Sequence, residues 1–166
     1  VNDPPVLSLI DNQSSDEDQD FVYELAATDP EGDALEFSAQ ADGNADVSVV
    51  GSTLTVSPDA DFNGNIEVTV SVTDNLSGGS DEANFVLSVS SVNDEPVLSA
   101  IGSQSSDEDV DFNYSLSASD VDGDGVSFAA SVDGNGSAIV DGSTLTVSPD
   151  ADFNGEITVS VSALDG

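Results

Sequence analysis

The chain has 166 residues, of which 34 are Asp or Glu and none is Lys, Arg or His, so its formal charge is −34. With no cationic side chain it cannot pair with phosphates, which argues against nucleic acid and anionic membrane surfaces as partners. With neither His nor Cys, a Ser–His–Asp triad, a Cys–His pair, a structural zinc site and haem ligation all lack parts. An apolar fraction of 37%, mostly Val, Leu, Ile, Phe and Ala, separates the chain from disordered acidic sequences. Apolar runs are only a few residues long, so neither a transmembrane helix nor a signal-peptide core is expected, and no membrane insertion. The absence of Cys fits an intracellular protein or a secreted one braced by other means. The first residue is Val1, not Met, so a piece of a longer polypeptide is expected.

In chain order, the apolar residues alternate with polar ones over short stretches. Pro5–Ile10 opens the pattern. It is followed by Phe21, Tyr23, Leu25 and Ala27; by Leu35, Phe37 and Ala39; by Val47 and Val49; by Leu54 and Val56; by Ile66, Val68, Val70 and Val72; and by Phe85, Leu87 and Val89. A period of two over four to eight residues is the mark of a half-buried strand. Asp42-Gly43, Asn63-Gly64 and Asp141-Gly142 supply turns between strands. Pro4, Pro5 and Pro96 stand at the heads of first strands, where a missing N–H is tolerated. Phe62, within Asp59-Ala60-Asp61-Phe62-Asn63-Gly64, is expected to tuck beneath the loop before the sixth strand, with Phe153 doing the same later. No window carries helical spacing. About seven strands in about 91 residues point to an immunoglobulin-like β-sandwich.

The pattern then repeats. Val1-Asn2-Asp3-Pro4-Pro5-Val6-Leu7 returns as Val92-Asn93-Asp94-Glu95-Pro96-Val97-Leu98, and the block from Gly51 to Gly64 returns unchanged from Gly142 to Gly155, always at an offset of 91 with no gap. Two tandem domains are therefore expected, 1–91 and 92–166. Gly166 corresponds to Asn75, so the second copy has no counterpart of the strand around Phe85, Leu87 and Val89. Either the sequence stops inside an array, or that strand comes from another chain by strand donation.

The carboxylates gather at strand ends and turns. Asp16-Glu17-Asp18 precedes the second strand, and Asp29-Pro30-Glu31-Gly32-Asp33 follows it. The second copy of that loop reads Asp120-Val121-Asp122-Gly123-Asp124. Acidic side chains at alternate positions can point into one concavity, and the Gly permits a sharp turn, which is a calcium-loop pattern. It is not a helix–loop–helix calcium site, because the twelfth loop position falls on Ser131 and no helices flank it. Isolated acids such as Glu24, Glu36, Glu67 and Asp81 read as solvated surface charge. In the two loops the carboxylates must repel or take up protons unless a cation joins them. All-oxygen donors favour calcium, with magnesium second because it keeps its waters. Asp74 and Asp165 close strands, and Asn2-Asp3 and Asn93-Asp94-Glu95 occupy the linkers.

These residues resemble the cadherin family. Asn93-Asp94-Glu95-Pro96 is similar to its linker motif. Ala27-Thr28-Asp29-Pro30-Glu31-Gly32-Asp33 and Ala118-Ser119-Asp120-Val121-Asp122-Gly123-Asp124 are similar to its Asp-x-Asp-x-Gly-Asn loop. Glu17 and Glu108 resemble its early calcium-binding Glu, and Ala163-Leu164-Asp165-Gly166 resembles its Ala-x-Asp-x-Gly motif, with Val72-Thr73-Asp74 in the equivalent place. Together with VNDPPV, SSDED and SPDADFNG, the whole chain looks most like bacterial cadherin-like tandem repeats of large surface proteins. It departs from the animal pattern in Glu31, which replaces an Asp, in Ser91, which replaces another, and in a shorter linker. Asp59 and Asp61 are the candidates for the family's middle acidic motif.

The resemblance implies Ca2+ as cofactor, held at the junction by Glu17 from the first domain, Asn93, Asp94 and Glu95 from the linker, and Asp120, Asp122, Asp124 and Asp165 from the second. Asn2, Asp3, Asp29, Glu31, Asp33 and Asp74 are the corresponding set of the first copy, and Glu108 is the counterpart of Glu17. The expected function is non-catalytic: a calcium-stiffened rod in an adhesin or other protein of the bacterial cell surface, whose partners are neighbouring repeats, with identical chains or surface glycans as further partners. Three rival readings fit the residues less well. A carbohydrate-binding module would expose aromatic platforms, whereas Tyr23 and Tyr114 read as core. A filament subunit would exchange strands between chains. A hydrolase using two carboxylates fits poorly with acids placed in turns of a repeated module. The sequons at Asn12, Asn75, Asn113 and Asn135 do not recur between copies, so chance accounts for them.

Overall fold

The computed structural model describes residues 2–76 and 79–166. The first residue of the VNDPPV motif, and Ser77 and Gly78 in the segment without a second copy, lie outside the described residues. Among the described residues every regular element is a β-strand, and no helix is long and apolar enough to cross a membrane. The chain divides into two compact units, Val1–Val92 and Asn93–Gly166, called repeats 1 and 2 here.

The described residues of repeat 1 form nine strands. They are β1 (Val6–Leu7), β2 (Gln13–Asp16), β3 (Phe21–Glu24), β4 (Ala27–Thr28), β5 (Glu36–Ala41), β6 (Ala45–Val50), β7 (Thr53–Pro58), β8 (Gly64–Thr73) and β9 (Ser80–Ser90). One sheet has the order β2-β9-β8-β5, a second β3-β7-β6, and β1 pairs with β4. All pairings are antiparallel except β2 with β9, which run parallel from Gln13 opposite Leu87 to Asp16 opposite Ser90. The alternation puts one face of each strand inward: Leu54, Val56, Ile66, Val68, Val70 and Leu87 are wholly buried. At about 25 cal/mol per Å² of apolar surface removed from water, these side chains supply the main favourable term of folding. Phe62 packs against this core, as its sequence position suggested. Tyr23 also packs there, its ring stacked on Phe21 with centroids 6.2 Å apart.

Two features differ from the sequence expectation of about seven strands. The segment from Phe21 to Ala27 divides into β3 and β4 because its two parts pair with different strands, β3 with β7 and β4 with β1. The polar Gln13–Asp16 stretch forms a strand although it carries no apolar alternation, because β9 lends it a parallel edge to pair with.

Repeat 2 repeats the plan with seven strands: β10 (Val97–Leu98), β11 (Phe112–Ser115), β12 (Ala118–Ser119), β13 (Ser127–Val132), β14 (Gly136–Asp141), β15 (Thr144–Pro149) and β16 (Val159–Leu164). The order β11-β15-β14 reproduces β3-β7-β6, and β13-β16 reproduces β5-β8. Among the described residues, neither β9 nor β2 has a counterpart in repeat 2. The buried apolar core shrinks to Leu116, Leu145 and Val147.

Candidate metal centre

The loop after β4 is organised by Asp29. Its Oδ1 accepts the backbone N–H groups of Glu31 at 2.9 Å and Asp33 at 3.0 Å. The Gly32 N–H donates to the Asp29 carbonyl at 3.2 Å. Gly32 has φ of 78°, a left-handed conformation that glycine adopts without the steric cost a Cβ brings. The turn brings Asp29, Glu31 and Asp33 together, with one carboxylate oxygen of each within 4.8 Å of the others. Asp29 Oδ2 is buried and has no hydrogen-bond partner. An uncompensated buried carboxylate oxygen is costly, and a cation ligand satisfies it as well as a donor would.

The head of the chain closes on this loop. The Asp3 N–H donates to Glu31 Oε2 at 3.2 Å, and Asn2 Nδ2 donates to Asp74 Oδ2 at 2.8 Å. Asp74 follows the end of β8, is buried, and accepts the Leu76 N–H on Oδ1 at 2.8 Å. The hydrogen bond from Asn2, then that from Leu76, hold its carboxyl below the ordinary aspartate value. Asp74 stands outside the cluster of three carboxylates and is tied to it through Asn2 and Asp3.

Repeat 2 builds the same arrangement from its own residues. Asp120 Oδ1 accepts the Asp124 N–H at 3.0 Å, while Asp120 Oδ2 is buried without a partner. The Asp94 N–H donates to Asp122 Oδ2 at 2.8 Å, and Asn93 Nδ2 donates to Asp165 Oδ2 at 2.6 Å. Asp120, Asp122 and Asp124 again lie within 4.8 Å of one another. Gly123 has the φ of Gly32, 78°. Glu95 is exposed and, among the described residues, joins no such cluster.

Glu17 and Glu108 are the pair whose surroundings differ. Glu17 is only 2% exposed. Its Oε1 accepts the Val92 N–H at 2.6 Å, its Oε2 accepts Asn63 Nδ2 at 3.4 Å, and its own N–H donates to the Ser90 carbonyl. The bond to Ser90 anchors it to β9. Glu108 has no such strand beside it and is exposed. Sequence reasoning missed Gly79. A side chain there would run into the Asp74 carboxylate. Gly79 has no counterpart in the second copy, so the repeat could not signal it.

Three oxygen-bearing side chains gathered in a turn, one of them with an orphaned buried oxygen, form a donor set that suits a hard divalent cation.

Comparison with known proteins agrees with the architecture. A family model described as "Bacterial Ig domain" matches residues 2–88 and again 93–166. Among solved structures, human protocadherin-24 EC1-2 is similar over 99% of this chain and 88% of that one, at 16% identity and a TM-score of 0.62. Drosophila N-cadherin EC1-4 is similar over 98% of this chain and 48% of that one, at 17% identity and a TM-score of 0.57. At such identities the likeness shows the fold. An endo-fucoidan hydrolase of glycoside hydrolase family 107 aligns with 98% of this chain at 16% identity, but with a TM-score of 0.44 that carries no argument. The chain spans 28% of that hydrolase and about half of the N-cadherin fragment. No curated protein matches the chain significantly.

Proposed function

The chain belongs to the bacterial Ig domain family, and from that premise we propose that it is a non-catalytic, calcium-binding pair of repeats from an extracellular adhesion or surface protein, in which calcium stiffens the link between successive repeats. The single observation that carries this reading is the orphaned oxygen that occurs twice. Asp29 Oδ2 and Asp120 Oδ2 are both buried and unpartnered, and each residue belongs to a group of three carboxylates that bring an oxygen apiece within 4.8 Å of one another. No side chain of this protein carries a positive charge, so nothing in the chain itself can neutralise them.

Calcium would supply the missing charge and accept the oxygens of Asp29, Glu31 and Asp33, or of Asp120, Asp122 and Asp124. The chain's own residues do the rest. Asp29 and Asp120 shape the loops with one oxygen and offer the other. Asn2 and Asn93 clamp the ends of β8 and β16, while the backbones of Asp3 and Asp94 dock on the loops. Stiffening follows from connectivity: Asn93 and Asp94 come directly after Val92 in the sequence. Whatever orders them therefore also restrains the covalent link between repeats. Extracellular calcium modules bind with dissociation constants of roughly 10⁻⁴–10⁻³ M, so such a link is stiff outside the cell and loose where calcium is scarce.

Small-angle scattering with calcium and with chelator tests the reading. The expected result is a longer maximum dimension and a narrower distance distribution in calcium, with magnesium at equal concentration weaker. Identical scattering in both conditions defeats the stiffening, and calorimetry without a calcium binding heat defeats the site.

A further inference from the structure

The sequence holds three Asn-Gly pairs, Asn63-Gly64, Asn135-Gly136 and Asn154-Gly155. In such a pair the glycine nitrogen can reach the asparagine side-chain carbonyl with no Cβ in its way. The fold treats the pairs differently. Asn63 donates its amide to Glu17, and Gly64 is paired with Val89 inside the sheet. Asn135 lies in the turn between β13 and β14 and is exposed. Among the described residues no hydrogen bond holds its side chain.

The turn requires both residues of the Asn135-Gly136 pair. Asn135 has φ of 60°, a left-handed conformation that asparagine tolerates better than most residues with a Cβ. A Cβ on Gly136 would lie 2.7 Å from the Ser148 carbonyl oxygen, so a larger residue fits only if β15 moves. The ladder also leaves the Gly136 N–H open. The Asp150 N–H donates to the Asn135 carbonyl at 2.9 Å, which makes Asn135 and Asp150 a bonded pair. Bonded and non-bonded pairs alternate along an antiparallel ladder. Gly136, opposite Pro149, is therefore in a non-bonded pair, and its N–H points away from β15. In the order β11-β15-β14, β14 is the edge, so among the described residues no strand meets that N–H on its other side.

Repeat 1 has the same turn with a different second residue. Asn44 is exposed, has φ of 57°, and its carbonyl accepts the Asp59 N–H at 2.8 Å. Ala45 follows it, and its methyl hinders the same approach.

We propose that Asn135-Gly136 is a self-modification site at which the folded protein turns an amide into a carboxylate. The Gly136 nitrogen bonds to Asn135 Cγ and loses its proton. The Cγ–Nδ2 bond breaks, and ammonia leaves with that proton. Water then opens the five-membered imide at either carbonyl, giving Asp or an isoaspartyl residue. In the isoaspartyl product the main chain runs through the former side chain, and the carbonyl that accepted the Asp150 N–H becomes a free carboxylate. Either product adds negative charge two residues from Asp133, in a chain with no cationic side chain to balance it, so the turn weakens as the protein ages. This inference holds whether or not the calcium reading does.

The test incubates the full chain in mildly alkaline buffer, folded and in urea, and follows each asparagine by peptide mapping and mass spectrometry, which separates Asn135 from Asn154. In the folded protein Asn135 is expected to convert at least about tenfold faster than Asn44, a barrier lower by about 1.4 kcal/mol, and faster than Asn63. In urea Asn63 and Asn135 should convert alike. Ala45→Gly is expected to raise Asn44 to the rate of Asn135 while leaving repeat 2 unaltered. Conversion of Asn135 in urea but not in the folded chain overturns the proposal, because the turn then protects the pair. So does an Asn44 that matches Asn135 in the parent, or one that stays inert in Ala45→Gly.

Discussion

Asn2 and Asp74 are 72 residues apart in sequence and joined by one hydrogen bond, with Asn2 Nδ2 donating to Asp74 Oδ2 at 2.8 Å. Asn93 and Asp165 repeat it at the same separation, at 2.6 Å. The bond fastens the first residues of a repeat to the residue that follows β8 or β16. Asparagine suits the task because its amide donates to a carboxylate without adding charge.

The Asn2–Asp74 bond predicts a pH dependence. The Asp74 carboxyl is held below its ordinary value of 3.8 in the folded protein, first by Asn2 and then by Leu76 N–H. Its contribution to stability is therefore fully present above the unfolded value and is lost as pH falls through the lower folded value. In chelator, Asn2→Ala is expected to be less stable than the parent at neutral pH. The difference should close in acid, below the ordinary aspartate range. Urea unfolding of both proteins across pH 2–7 measures this, and a difference that stays constant with pH would assign the loss to packing instead.

Gly79→Ala is expected to damage the same corner. The added methyl meets the Asp74 carboxylate, and overpacking of this kind costs about 1–3 kcal/mol. Denaturant midpoints give the cost. Calcium affinity should fall with it, because Asp74 must move away from Asn2.

Calcium at ten times its dissociation constant is expected to stabilise each repeat by about 1.4 kcal/mol per site. For a domain of this size that is a rise in Tm of roughly 5–10 °C. Asp33→Asn distinguishes a metal site from a merely acidic turn. It should stabilise the protein in chelator by relieving repulsion and destabilise it in calcium by removing a ligand. Differential scanning calorimetry in both conditions reads the change of sign; a variant shifted the same way in both would show that the loop binds no metal.

Leu54 and Leu145 are the same residue at the same repeat position but sit in unequal cores. Leu54 is 0% exposed within a cluster that includes Ile66, Val68 and Leu87, while Leu145 is 3% exposed in a buried cluster with Leu116 and Val147 alone. Leu54→Ala is expected to cost about 4 kcal/mol and Leu145→Ala about 2 kcal/mol, the upper and lower parts of the range for such truncations. Repeat 2 should also melt first, giving two calorimetric transitions of which Leu145→Ala lowers only the first.

Much of this molecule was already legible in its residues. Alternation at Ile66, Val68, Val70 and Val72 identified a strand because a pleated strand presents every second side chain to the same face. The 91-residue offset revealed tandem repeats, and Asp29, Glu31 and Asp33 marked themselves as a cluster because spacing of two around a glycine is a local property. What the sequence could not reveal depends on partners distant in the chain. The strand character of Gln13–Asp16 comes from pairing with β9, more than 60 residues later. The burial of Glu17, against the exposure of the identical residue Glu108, comes from the same strand. Local pattern fixes which way a side chain leaves the backbone; only the assembled sheets decide whether another strand is there to meet it.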